Sequence, residues 1–285
     1  MNNFFKIMKT IYSGQHIQQN SKSELAGGQL IKPYECPERM EYILHEINSR
    51  NLGEVLKPHA TDLKIVKKVH DSNYVEFLEQ AWTEWKKEGY KGEAIPTVWP
   101  SRSMNSKQIP SHIEGKLGYY CLANETSISQ GSVKGAYEAV KVVLTATNML
   151  EDEKSLFALC RPPGHHASRD QYGGYCFFNN VAIAAERLIE KGAKKIFILD
   201  VDFHHGNGTQ AIFYDRSDVY FASLHGDPKE AFPHFLGHAN EKGYGVGEGY
   251  NVNYPMQPGT PYTEWTRALD DAIEKIQSYQ PRCVV

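Results

Sequence analysis

The sequence predicts a single α/β domain built on a mostly parallel sheet with helices on both faces. Its 285 residues are enough for one large domain with a substantial core. Apolar residues make up 41% and charged residues 23%, a balance typical of globular chains. Most tellingly, beyond residue 133 short apolar runs that read as strands take turns with longer runs that read as helices. That order builds parallel sheets covered on both sides.

The elements follow in sequence. Residues 8–12 read as a first short strand, and 37–48 as a helix with Pro37 near its first turn, where a missing N–H costs little. A second helix spans 72–88, capped by Asp71 or Ser72. The stretch 91–113 breaks the pattern. Pro96, Pro100 and Pro110 punctuate a polar run with Arg102, Asn105 and Ser106, and loops this long are usually functional or disordered. A helix at 133–150 precedes a strand at 155–160, a helix at 180–191 rich in Ala, Ile and Leu, and a strongly apolar strand at 195–201. A helical turn at 209–214, a strand at 218–224, a helix at 261–278 and the opening of one more strand at 283–285 complete the series. We find no repeat, low-complexity tract or linker. One domain is expected over 8–285, with 1–7 an extension or a misassigned start.

Several function classes are disfavoured. A net charge of -3 without long charge runs gives no electrostatic footprint for nucleic acid. No stretch approaches the roughly 20 apolar residues of a membrane span. Lys6 and Lys9 interrupt the apolar N-terminus, which lacks a signal-peptide core. Cys36, Cys121, Cys160, Cys176 and Cys283 show no paired spacing, as expected of free thiols in a reducing compartment. A cytoplasmic protein is expected.

Three segments concentrate ligand-capable residues at expected strand ends: Arg161 to Ala167, Asp200 to Gly208, and Leu224 to Asp227. Parallel sheets gather such ends into one site. If the backbone after residue 199 stays extended, Asp200, Asp202 and His204 share a face. A carboxylate and an imidazole two residues apart then suit one divalent metal: Zn²⁺, and equally Fe²⁺, Co²⁺ or Mn²⁺. The same residues also fit a capped, solvated turn, and the tandem His165-His166 also fits ordinary surface or core positions. Brought together, they fit metal-assisted amide hydrolysis, with a histidine passing a proton from water to the leaving amine. Asp200 and Asn207 are of the right type to set histidine tautomers.

The runs Arg161-Pro162-Pro163-Gly164-His165-His166, Gly173 to Asn180 and Asp200 to Thr209 together resemble the histone-deacetylase and acetylpolyamine-amidohydrolase family, with its arginase/deacetylase-like fold. The resemblance implies that Asp202 and His204 bind Zn²⁺ (Fe²⁺ or Co²⁺ as alternatives). It makes His166 the general base and acid, with His165 its electrostatic companion. Asp200 is then the partner of His165, and Asn207 of His166. Asn207 stands where some branches carry aspartate, so His166 should be less polarised. Structural K⁺ near Asp200 to His204 is also implied. The stretch from Lys91 through Glu125 resembles the acetylpolyamine branch. It implies a homodimer through the 91–113 loop, acidic residues Glu114 and Glu125 at the tunnel entrance, and Tyr175 and Phe232 as tunnel walls. The substrate implied is a small acetylated amine.

The family's third metal ligand, an aspartate, and a Gly-Gly-Tyr segment would lie beyond Val285. The chain as written is therefore expected to be incomplete, and inactive or weakly active. Other readings stay open: a truncated paralogue that binds or dimerises, an acetyl-lysine protein deacetylase, and a binuclear manganese ureohydrolase.

Overall fold

The computed structural model describes residues 8–59 and 61–285. The expected extension at 1–7 lies outside them. The elements run β1 Lys9–Tyr12, β2 Glu24–Ala26, β3 Gln29–Ile31, α1 Glu38–Ser49, β4 Val55–Leu56, α2 Val66–Val69, α3 Ser72–Lys87, α4 Ile113–Tyr119 and α5 Ser132–Met149. They continue with β5 Leu156–Leu159, α6 Asn180–Glu190, β6 Ile196–Asp200, α7 Asn207–Phe213, β7 Val219–Gly226, β8 Asn251–Met256, α8 Tyr262–Tyr279 and β9 Cys283–Val284.

The parallel strands form two hydrogen-bonded sheets, not one. Their orders are β4-β1-β5 and β8-β7-β6-β9, and β2 and β3 form a separate antiparallel hairpin. Residues of β5 and β9, at the ends of the two sheets, border a cavity of about 430 Å³ lined also by α5 and α6.

Alternation along β6 sets the layers. Ile196 and Ile198 enter the large core shared with α3, α5 and α6, whereas Phe197 and Leu199 meet α8 and β7. Each fully buried side chain of this kind contributes about 1.5–3 kcal/mol. Because both faces are covered, the strand reads as continuously apolar rather than alternating. On β7, Ser223 and His225 continue the face of Val219 and Phe221, and both are buried.

Two expectations need correction. Asp71 holds the cap position of α3, but its side chain makes no capping bond; its backbone N–H donates to Arg169 O at 2.9 Å instead. The strand expected to reach residue 201 ends at Asp200. Beyond it, Asp202 N–H donates to Asp200 Oδ1 at 3.1 Å and His204 N–H to Asp202 Oδ1 at 2.8 Å. These successive side-chain turns, rather than extended backbone, shape the segment.

Candidate active site

At the C-terminal ends of β5 and β6 lies a cleft of about 500 Å³. His165, His166, Asp202, His204, Tyr175, Phe232 and Glu125 all line it.

The turn after β5 delivers the tandem histidines. Asn179 caps α6 by accepting Ala182 N–H at 2.9 Å, and its Nδ2 donates to Ala167 O at 2.9 Å. Thr209 N–H, on α7, donates to His165 O at 3.1 Å. The histidine turn is thus clamped between two helix starts. Gly174 has φ +56 and packs on His166, where a Cβ would lie 2.1 Å from the ring; only glycine permits that approach.

Each histidine of the pair has a partner on Nδ1. His165 lies 2.8 Å from Asp200 Oδ2, and His166 lies 2.6 Å from Asn207 Oδ1. Both oxygens accept, so both rings carry Nδ1–H, and Nε2 of His166 keeps a free lone pair. The rings are tilted by 46° with centroids 4.0 Å apart. Burial lowers the pKa of His166 well below its ordinary value, and neighbouring His165 adds to this; the Asn207 bond offsets only part. Burial also opposes the charge on His165, but Asp200 outweighs it and the pKa is raised.

Asp202 and His204 stand at the rim. His204 Nδ1 lies 3.4 Å from Asp202 Oδ1, and their side chains are 44% and 53% exposed. Burial opposes ionisation of Asp202, but the His204 hydrogen bond and the neighbouring imidazoles prevail and lower its pKa. The adjacent carboxylate and imidazole suit a divalent metal in donor type. Among the described residues, however, no group of three or more His, Cys, Asp or Glu is arranged to hold one. The chain thus presents two converging donors. Asp202 and Phe203 also border a neighbouring groove of about 410 Å³ containing Leu224, Met256 and Trp265.

The walls come from distant segments. Phe232 meets His166 edge-on, with centroids 4.9 Å apart and planes at 90°. Tyr175 has φ 65, a left-handed conformation that costs a non-glycine residue about 1–3 kcal/mol. Its N–H donates to Thr126 Oγ1 at 2.7 Å and its hydroxyl to Glu24 Oε1 at 2.9 Å. Gly174 N–H donates to Glu125 Oε1 at 2.5 Å. Glu114 does not join them: it is exposed on α4, 3.8 Å from His112 Nδ1, and absent from the cleft lining. The packing of α4 on α3 turns this residue away within one chain.

Sequence reasoning missed Glu24, Glu35 and the structural use of Arg161. Arg161 is buried and binds Glu35 Oε1 at 3.0 Å, Gln19 O at 2.7 Å and Gln19 Oε1 at 2.5 Å. It fastens the N-terminal segment beneath the histidine turn. The Arg161-Pro162-Pro163 motif was the only local signal.

The chain is similar to known proteins over nearly its whole length. Residues 33–285 match the histone deacetylase domain model. An acetylpolyamine amidohydrolase of Mycoplana ramosa is 52% identical over 98% of this chain and 82% of its own length. Acetylpolyamine amidohydrolase 2 of Pseudomonas aeruginosa is 45% identical, covering 95% of this chain and 79% of its own. The crystal structure of an acetylpolyamine aminohydrolase from Burkholderia pseudomallei superposes with a TM-score of 0.90 at 31% identity, covering 97% of this chain and 80% of that one.

Proposed function

The chain belongs to the histone deacetylase family, and from that premise we propose that it is a metal-dependent amidohydrolase releasing acetate from acetylated polyamines or related acetylated amines. The observation that carries the proposal is the buried His166–Asn207 pair. It leaves an unprotonated Nε2 beside the Asp202–His204 rim in one cleft.

Asn207 Oδ1 accepts Nδ1–H and fixes the tautomer of His166. Nε2 takes a proton as water attacks the acetyl carbonyl and returns it to the departing amine. The lowered pKa of His166 keeps it unprotonated, as a base must be. His165, whose pKa Asp200 raises, has its ring centroid 4.0 Å from that of His166 and responds to each change of charge on its neighbour. Asp202 and His204 would hold the Zn²⁺ (or Fe²⁺ or Co²⁺), which lowers the pKa of a water and polarises a carbonyl oxygen. Phe232 and Tyr175 flank a thin aliphatic chain, with Glu125 on the same cleft favouring a cationic one. A second copy packing on the 91–113 loop belongs to the same proposal, supported by the exposure of Val98, Met104 and Ile109.

The test is acetate release by the zinc-loaded full-length protein from acetylputrescine and from an acetyl-lysine peptide. We expect turnover of the small amine. Turnover of the peptide alone moves the substrate to lysine side chains, and turnover of neither defeats the proposal.

A further inference from the structure

Behind the rim, a buried polar network joins three elements that carry the site. Helix α7 opens with Asn207, the partner of His166, and presents Gln210 one turn later. Gln210 Oε1 accepts from Asn251 Nδ2 at 3.0 Å and from Asn253 Nδ2 at 2.8 Å, both on β8. The same oxygen lies 3.1 Å from Nε2 of His205, the residue after His204. Gln210 Nε2 then donates at 2.6 Å to Glu241 Oε2. That carboxylate oxygen also accepts Gly237 N–H at 2.9 Å and Asn253 Nδ2 at 3.3 Å.

Glu241 and Gly237 lie in the connection 227–250 between β7 and β8, which carries Phe232. Gly237 has φ +108, and a Cβ there would sit 2.7 Å from His205 Cγ. Its carbonyl lies 2.9 Å from His225 Nε2. The connection therefore touches down on the site's own scaffold at Gly237, and Glu241 binds that point to α7.

We propose that Glu241 is a positioning residue that holds the Phe232 wall against His166. It touches neither substrate nor His166. It acts by joining the Phe232 connection to the helix that begins with Asn207. Removing an acceptor that serves three buried donors leaves each in need of a partner, which favours a loosened connection. Phe232 then packs less well on a substrate chain, so binding suffers before chemistry.

The substrate side of this proposal rests on the amidohydrolase reading; the loop side does not. The variants are Glu241→Ala, which removes the acceptor, and Glu241→Gln, which keeps an oxygen there. For Glu241→Ala we expect faster amide hydrogen exchange over 228–242 and a KM for acetylputrescine raised about tenfold, with kcat within about threefold. Glu241→Gln should restore both. Wild-type KM and exchange in a folded Glu241→Ala overturns the proposal. So does a kcat loss as large as the KM change in both variants. If the alanine variant does not fold, Glu241→Asp, one methylene shorter, takes its place: faster exchange with raised KM supports the proposal, and wild-type values overturn it. If wild-type protein hydrolyses no acetylated amine, the functional reading has failed, and hydrogen exchange alone decides the role of Glu241.

Discussion

On the floor of the cleft, His165 and His166 each meet a side-chain oxygen, at 2.8 and 2.6 Å. At the rim, Asp202 and His204 have chiefly each other, 3.4 Å apart, with about half of each side chain open to solvent. The floor is clamped by α6 and α7, whereas the rim hangs on two side-chain turns. The contrast separates two requirements. Proton transfer needs a fixed tautomer and a dry, rigid ring. Metal binding needs donors that remain accessible to an ion and to further ligands.

The largest expected effect breaks the floor and spares the rim. His166→Ala should lower kcat on acetylated amines about 10²–10⁴-fold. Bound metal, counted by mass spectrometry or atomic absorption, should stay at the wild-type ratio, because Asp202 and His204 are untouched. A variant that keeps more than a tenth of wild-type kcat would remove His166 from the proton-transfer role.

A smaller effect sharpens the contrast within the floor itself. Asp200 holds the pKa of His165 up against the cost of burial, whereas His166, with only an amide oxygen, falls below the ordinary value. Histidine titrations by NMR on metal-free protein should show this split, and Asp200→Asn should abolish it by lowering His165. Stability should follow. A pKa raised on folding gives stability fully present below the unfolded value of about 6.5, fading as pH rises through the raised one. The stability gap between wild type and Asp200→Asn should therefore narrow with increasing pH over that window. A gap that widens with pH contradicts the Asp200–His165 assignment.

Legibility in the sequence followed the same division. The four cleft residues His165, His166, Asp202 and His204 lie in contiguous motifs at strand ends, so alternation of elements was enough to bring them together. The manner of convergence was not legible: extended backbone was expected after Leu199, but the carboxylates of Asp200 and Asp202 fold the chain into turns. Strand β8 went unread; its Pro255 is tolerated because β8 is an edge. Glu24 and Arg161 could not be read because their partners Tyr175 and Gln19 lie 151 and 142 residues away. Glu114, placed at the entrance by resemblance alone, sits outside the cleft of a single chain.

The smallest expected effect concerns the wall between floor and rim. Glu24 is 3% exposed, and its carboxylate accepts the Tyr175 hydroxyl at 2.9 Å and Tyr34 N–H at 3.1 Å. Among the described residues no lysine or arginine pairs with it. Its carboxyl stands behind Tyr175, where a negative charge would favour a cationic chain in the cleft. Glu24→Gln keeps the shape and removes the charge. In the open, solvated cleft, with an effective dielectric near 80, a charge about 4 Å away is worth about 1 kcal/mol, a severalfold rise in KM. That rise should appear for acetylputrescine and not for uncharged N-butylacetamide. If both KM values rise together, the Glu24–Tyr175 bond serves to hold the strained Tyr175 backbone and not to select charge. If neither moves, the anionic character of the cleft rests on Glu125, whose carboxylate lines it directly.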